Sequence, residues 1–215
     1  YVIRDLNLDS KRFPARAIHA SISASKNEGV GSSAYTERAT GPFEKRIAEV
    51  FVEYQKRLQR AGAMDFDDLL ANTVHLLRSN PDVLEKHRRR FQHILVDEYQ
   101  DTNQVQNELV MLLAEEHRNL CVVGDSDQSI YRFRGADIRN ILDFETAFPD
   151  ATVVVLDQNY RSTQTILDAA NAVITRNAGR TPKELWTDTG PGESIVAYRA
   201  GDEEDEARWV VERIR

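Results

Sequence analysis

Cysteine is almost missing from this 215-residue chain, and the single thiol, Cys121, lies inside the apolar run Leu120-Cys121-Val122-Val123. One thiol cannot close a disulfide within the chain or supply the grouped thiolates of a structural zinc site, so both frameworks are excluded. Its surroundings predict a small core residue in a reducing compartment. Long hydrophobic runs are missing too. No segment approaches the roughly eighteen apolar residues that cross a bilayer, and Tyr1-Val2-Ile3-Arg4-Asp5 has none of the zones of a secretory signal. The expectation is an intracellular protein with no membrane segment. Methionine is scarce, at Met64 and Met111 only, and the closing stretch 202–215 sets Ala207, Val210, Val211 and Ile214 at helical spacing with no capping glycine or proline after them. The reading is of an internal piece, incomplete at both ends. Nowhere does a Gly-x-x-x-x-Gly-Lys-Ser/Thr phosphate-binding loop occur.

What is present describes a globular chain, with 41% hydrophobic and 29% charged residues. The formal charge of −7 would ordinarily argue against nucleic acid, whose binding rests on lysine and arginine releasing counterions from phosphates. The charge is uneven, however. Residues 1–60 hold 11 Lys+Arg against 7 Asp+Glu, a balance of +4 that leaves −11 for the remainder. A modest excess of this kind is usually a solvated surface and does not by itself establish a nucleic-acid contact.

The first 41 residues are polar and turn-rich, and only short helices and loops are expected there. Pro42 then stands where an N1 proline belongs, followed by Phe43, Ile47, Val50, Phe51, Tyr54 and Leu58 at helical spacing up to Gly62. Further helices are predicted over Phe66 to Leu77 and Asp82 to Arg90. From residue 92 short apolar runs alternate with helical patterns, the signature of a parallel sheet buried on both faces. The predicted strands are His93 to Val96, Leu120 to Val123, Thr152 to Leu156 and Ile195 to Tyr198, with helices at Gln104 to His117, Ile138 to Phe148 and Thr163 to Asn177. A turn-rich stretch from Gly179 to Gly192 interrupts the alternation. The fold class is α/β with a mostly helical N-terminal part.

Three polar clusters follow three of these strands, at the end where open α/β sheets gather ligands. The first is Asp97-Glu98-Tyr99-Gln100-Asp101. An apolar strand delivering two carboxylates into a crevice suits a nucleoside triphosphatase, one acid holding hydrated Mg²⁺ and the other acting on the attacking water. It equally suits an exposed turn in which Asp101 or Thr102 caps the next helix. The second runs from Gly124 to Asp137 and interleaves Tyr131 and Phe133 with Arg132 and Arg134. Alternating rings and cations fit single-stranded nucleic acid, although a single aromatic in a loop more often tucks into a core. The third is Asp157-Gln158-Asn159-Tyr160-Arg161-Ser162-Thr163. There Ser162 or Thr163 can cap a helix, and Arg161 can meet a phosphate or simply pair with a surface carboxylate.

Val96-Asp97-Glu98-Tyr99-Gln100-Asp101-Thr102-Asn103 resembles motif II of the UvrD, Rep and PcrA helicases of superfamily 1, and the next two clusters resemble their motifs III and IV in the same order. Met64-Asp65-Phe66-Asp67-Asp68-Leu69-Leu70 is similar to the stretch this family carries upstream of motif II, and Ile22-Ser23-Ala24-Ser25-Lys26-Asn27-Glu28 to a segment of its helical insertion. The resemblance implies a P-loop NTPase (RecA-like) parallel sheet with helices on both faces, preceded by a helical subdomain. Residues 1–63 would be that subdomain (1B-like), 64–149 the second half of the first RecA-like domain (1A-like), and 150–215 the start of the second (2A-like). It further implies that Asp97 holds Mg²⁺ through water, Glu98 activates the attacking water, and Gln128 contacts the γ-phosphate of ATP. Tyr131 and Phe133 would stack on bases with Arg134 supporting their loop. Tyr160 would stack on the adenine, and Arg161 would be an arginine finger. Phe133 departs from the tryptophan common in the family, which leaves a smaller stacking face.

On the same footing, the implied whole is an ATP-dependent DNA helicase that moves 3′ to 5′ on single-stranded DNA and opens duplex at single-strand/double-strand junctions. It would work in repair or replication, alongside DNA-repair proteins and with the nucleoid in the cytoplasm. The family's last two motifs are absent along with the phosphate loop, so this chain alone is expected to be inactive. Two other readings stand beside this one: the helicase arm of a helicase-nuclease, and a non-catalytic DNA-binding or interaction module, which would have no need of Glu98.

Overall fold

The computed structural model describes residues 1–178, 180 and 182–214; Gly179 and Thr181 of the turn-rich stretch and Arg215 of the closing helical pattern lie outside the described residues. Two compact units are present, Tyr1–Ala151 and a second from Thr152 on.

The first unit opens with the short helix α1 (Val2–Asp5), then α2 (Ala15–Asn27), α3 (Ser32–Arg38) and α4 (Pro42–Arg60). The 13-residue α2 is longer than the sequence led us to expect. Its buried face starts with Ile18 and Ile22 but ends in Ser25 and Lys26, so half of the stripe is polar and escapes a search for apolar periodicity. In α4 the predicted N1 proline starts the helix, and the Glu44 carboxylate accepts the Thr40 and Gly41 N–H groups, both at 3.0 Å. Ile47, Val50 and Phe51 then meet Phe13, Ile18 and Ile22 in one core cluster. Burying an Ile or Phe fully, as for Ile18 and Phe51, contributes about 1.5–3 kcal/mol each.

Helix α5 (Phe66–Ser79) is capped reciprocally: Asp65 accepts from the Asp68 N–H at 2.8 Å, and Asp68 accepts from the Asp65 N–H at 3.2 Å. Pro81 ends that run and starts α6 (Pro81–Arg90). Strand β1 (Ile94–Val96) leads through the acidic turn to α7 (Gln104–Ala114), which returns the chain to β2 (Leu120–Val122), parallel to β1 with Leu95 opposite Cys121. Helix α2 contacts both α5 and α7, which draws the N-terminal helices and the sheet into one unit. Two short helices, α8 (Arg139–Leu142) and α9 (Phe144–Ala147), replace the single helix predicted over 138–148.

Two expectations about the sheet fail. It is not covered on both faces: Ile94, Val96, Leu120 and Val122 are half-buried, while Leu95 is 77% exposed and Cys121 is exposed, so the thiol is not a core residue. Side chains alternate between the faces of a strand, and only one face of this pair is packed. Nor do the apolar runs Thr152 to Leu156 and Ile195 to Tyr198 form strands among the described residues. Their side chains are largely exposed, and among the described residues the strand-like pairing of the second unit is an isolated bridge between Gln158 and Trp186. A strand exists through the ladder it shares with a neighbour, and β-propensity without a partner leaves an extended chain. The second unit otherwise consists of α10 (Gln164–Ile174) and α11 (Glu203–Ile214), with Tyr198 stacked on Trp209 at 4.7 Å.

Candidate functional site

At the end of β1 the chain turns sharply. Asp97 and Glu98 are exposed, while Tyr99 and Gln100, which follow, are almost completely buried. Glu98 has a left-handed backbone, φ 50° and ψ 42°, a conformation that costs a non-glycine residue about 1–2 kcal/mol and survives only where the surroundings impose it. Three contacts impose it. Asp97 Oδ1 accepts the Glu98 N–H at 2.9 Å, the Tyr99 N–H donates to Val123 O at 3.0 Å, and the Tyr99 ring fills the interior against Phe144. Burial pushes the Tyr99 hydroxyl up to about 12, so it stays protonated and donates to Asn107 Oδ1.

Neither Asp101 nor Thr102 caps the following helix. The cap is Asn103, whose Oδ1 accepts the Gln106 N–H at 2.8 Å while Gln106 Oε1 accepts the Asn103 N–H at 2.9 Å. Asp97 and Glu98 are thereby spared a capping role.

Gln100, given no individual role from sequence, joins the two loops of this unit. Its Nε2 donates to Glu98 Oε2 at 2.8 Å, and its Oε1 accepts the Asp125 N–H at 3.0 Å. The neighbouring Gly124 leaves room for this contact: a Cβ there would lie 2.6 Å from Gln100 Oε1, 2.9 Å from Ile141 Cδ1 and 3.2 Å from Tyr99 N, so a side chain would displace Gln100 and Ile141. The Asp125 carboxylate in turn accepts from Gln128 Nε2 at 2.7 Å. A hydrogen-bonded path therefore runs from Glu98 through Gln100 and Asp125 to Gln128. The only hint of it in the sequence is a glutamine following a strand end, where burial of a polar side chain requires partners.

Beyond Gln128 the loop carries Tyr131 and Phe133, ring centroids 6.0 Å apart, with the Arg134 guanidinium 5.2 Å and 5.6 Å from their centres. Phe133 is 78% exposed and Tyr131 37%, so neither ring is a core residue. Gly135, at φ +89°, ends the turn. Asp137 then donates its N–H to Thr102 O at 2.9 Å, and Asn140 Nδ2 donates to Thr102 O at 3.0 Å. The Arg139 guanidinium holds the Asp137 carboxyl far below the usual carboxylate range. The end of the acidic loop is thus stitched to the segment that follows the aromatic loop.

In the second unit Asn159 Oδ1 accepts the N–H groups of Arg161 and Ser162 at 2.9 and 2.7 Å, an Asx turn that presents an exposed Arg161 just before α10. Thr163 occupies the cap position, but its side chain makes no cap bond. Tyr160 is 83% exposed, with its hydroxyl donating to Gln158 Oε1 at 2.9 Å.

No group of three or more His, Cys, Asp or Glu side chains able to hold a metal occurs among the described residues. A hydrated Mg²⁺ asks for less, because it keeps several waters and needs one or two carboxylates. Exposed Asp97 suits that role, and Asp101 Oδ1, buried with no hydrogen-bond partner among the described residues, adds a hard oxygen to the same loop. No described helix is long and apolar enough to cross a membrane.

Comparison with known proteins identifies the family. Residues 2–149 match the family model of the UvrD/REP helicase N-terminal domain, and residues 154–215 that of the UvrD-like helicase C-terminal domain. Similar relatives include the ATP-dependent DNA helicase PcrA of Leuconostoc citreum, 50% identical over 100% of this chain, and that of Bacillus subtilis, 49% identical over 99%. The ATP-dependent DNA helicase UvrD1 of Mycobacterium tuberculosis is 52% identical over 98%. The chain spans 29% of the length of each of these relatives.

Proposed function

Because this chain belongs to the UvrD/REP helicase family, we propose that it is a portion of an ATP-dependent DNA helicase and that it carries the residues linking hydrolysis to strand movement. The observation that supports this most is the path Glu98–Gln100–Asp125–Gln128, which continues along one loop into the exposed pair Tyr131 and Phe133. A binding module has no use for such a path. A motor needs one, since the state of the nucleotide has to reach the strand.

In this reading Glu98 takes the proton of the water that attacks the γ-phosphate. Its carboxylate is oriented from behind by the Gln100 amide, and its left-handed backbone holds it at the end of β1. Asp97 would hold Mg²⁺ through water, and the ion, when bound, neutralises charge on the phosphates. Gln128 exchanges its bond to Asp125 for one to the γ-phosphate and so reports whether that group is present. Tyr131 and Phe133 stack on bases, with Arg134 bracing both rings. Tyr160 offers its exposed face to the adenine and Arg161 its guanidinium to the phosphates. Translocation would run 3′ to 5′ on single-stranded DNA, with unwinding at junctions during repair or replication. DNA-repair proteins are the expected partners, in the cytoplasm with the nucleoid.

The test is made in the complete protein. Glu98→Gln should keep ATP binding and lower DNA-stimulated turnover by roughly 10²-fold or more, the scale of a lost general base. The 215-residue chain alone, which carries no phosphate-binding loop, should stay at background. Unchanged turnover in Glu98→Gln would return that residue to an exposed turn, and hydrolysis by the chain alone would refute the division of labour.

A further inference from the structure

The C-terminal end of α2 is far in sequence from the loops just described, yet it touches both. Asn27, its last residue, accepts Asn103 Nδ2 on its Oδ1 at 2.7 Å. Its own Nδ2 donates to Ser23 O at 2.9 Å and to Asp67 Oδ1 at 3.3 Å. Asn103 is the 6% exposed cap on which the acidic loop ends. On its other side Asn27 lies against Gly135, the left-handed residue that ends the aromatic turn: a Cβ at Gly135 would stand 3.1 Å from Asn27 Cβ, at a φ of +89° that disfavours any side chain. Lys26, next in the chain, fixes the helix end by donating to Asp65 and Asp68 at 2.7 Å each. One amide side chain, on an anchored helix end, therefore bears on the last residue of one loop and the last residue of the other.

We propose that Asn27 is a positioning residue that sets the register between the acidic loop and the aromatic loop, so that ATP turnover is felt by the DNA strand. The inference rests on the helicase reading above. A polar network serving only to hold the helices together would lower every activity alike as it loosened. A register device acts differently: it leaves the acids competent and weakens their communication with Tyr131 and Phe133.

The experiment uses the complete protein with a single-stranded oligonucleotide and ATP. Asn27→Ala is expected to keep unstimulated hydrolysis within about twofold and to lose roughly tenfold in DNA-stimulated turnover and in base pairs opened per ATP, the upper range for one net hydrogen bond. Asn103→Ser should behave the same way, because serine caps a helix as well as asparagine does but is too short to reach Asn27. The double variant should be no worse than either single one, as expected for two ends of one interaction. Wild-type stimulation in a folded Asn27→Ala protein would overturn the proposal, and so would a proportional loss of unstimulated and stimulated turnover. Should Asn27→Ala not fold, full stimulation in Asn103→Ser would overturn it equally. The helicase reading fails separately: it falls if the wild-type protein shows no DNA-stimulated hydrolysis or if Glu98→Gln is fully active, whatever Asn27 does.

Discussion

Replacing Lys26 with methionine isolates a buried ion-pair cluster of the first unit. The ammonium is 4% exposed and donates at 2.7 Å to Asp65, 18% exposed, and to Asp68, 4% exposed. Tyr54 and Gln55 donate to the same two carboxylates at 2.9 and 3.0 Å, and the ammonium lies over the rings of Phe51 and Tyr54 at 5.9 and 5.3 Å. Methionine keeps the length and packing of the lysine stem but strands two acids in the interior. Removing one partner of a buried ion pair costs about 3–5 kcal/mol. At about 2–4 °C per kcal/mol for a domain of this size, the melting temperature should fall by roughly 6–20 °C. The loss should also depend on pH. Burial pushes the Asp65 carboxyl up, but hydrogen bonds from Lys26, the Asp68 N–H and Tyr54 outweigh it, and its pKa lies below the ordinary value. A depressed carboxylate pKa stabilises the fold above the unfolded value, and that stability disappears as pH falls through the folded value. The gap between wild type and Lys26→Met should therefore be widest near neutrality and narrow below about pH 4, where unfolded carboxylates take up protons. Adding Asp65→Asn and Asp68→Asn, which keep the capping oxygens of α5, should recover much of the loss. Circular-dichroism melts at pH 7 and at about pH 3, inside the window where the depressed carboxylate takes up its proton, decide it. A fall of under about 2 °C at pH 7, or one independent of pH, would refute the argument.

The exposed rings make a contrasting case. Phe133→Ala should leave the melting temperature almost unchanged, because the side chain is 78% exposed, and should weaken single-strand binding in the complete protein by roughly 1–3 kcal/mol without regard to base sequence. Phe133→Trp should preserve or strengthen it, whereas a large drop in melting temperature with normal DNA affinity would mean that the ring is structural. Arg161→Ala should depress ATP turnover by roughly 10³-fold, the scale of a missing arginine finger, with little change in DNA affinity. A loss confined to DNA affinity would show the residue to be a strand contact.

Local rules were enough for much of this protein. Pro42 marked the start of α4, helical spacing the bodies of α5 and α6, and the apolar runs before Asp97 and Gly124 the strands that carry the acids and the glutamine. The family could be read from the ordered clusters alone, because a catalytic motif is a short contiguous string whose chemistry depends on residue type and spacing. What escaped the sequence depends on partners distant along the chain. Lys26 on the buried face of α2 looks like a surface residue until Asp65 and Asp68 stand opposite. The extended runs at 152–156 and 195–198 have the composition of strands but no ladder in the described unit, and Cys121 sits in an apolar run yet faces solvent, because burial of a strand depends on what lies over each face. Gln100 and Asn27 reveal their work only through hydrogen bonds that cross 25 and 76 residues of chain. Hydrogen-bond patterns within a turn or a cap span three or four residues and can be read from the sequence; the choice of a long-range partner is a property of the packed chain, and tertiary structure alone decided it.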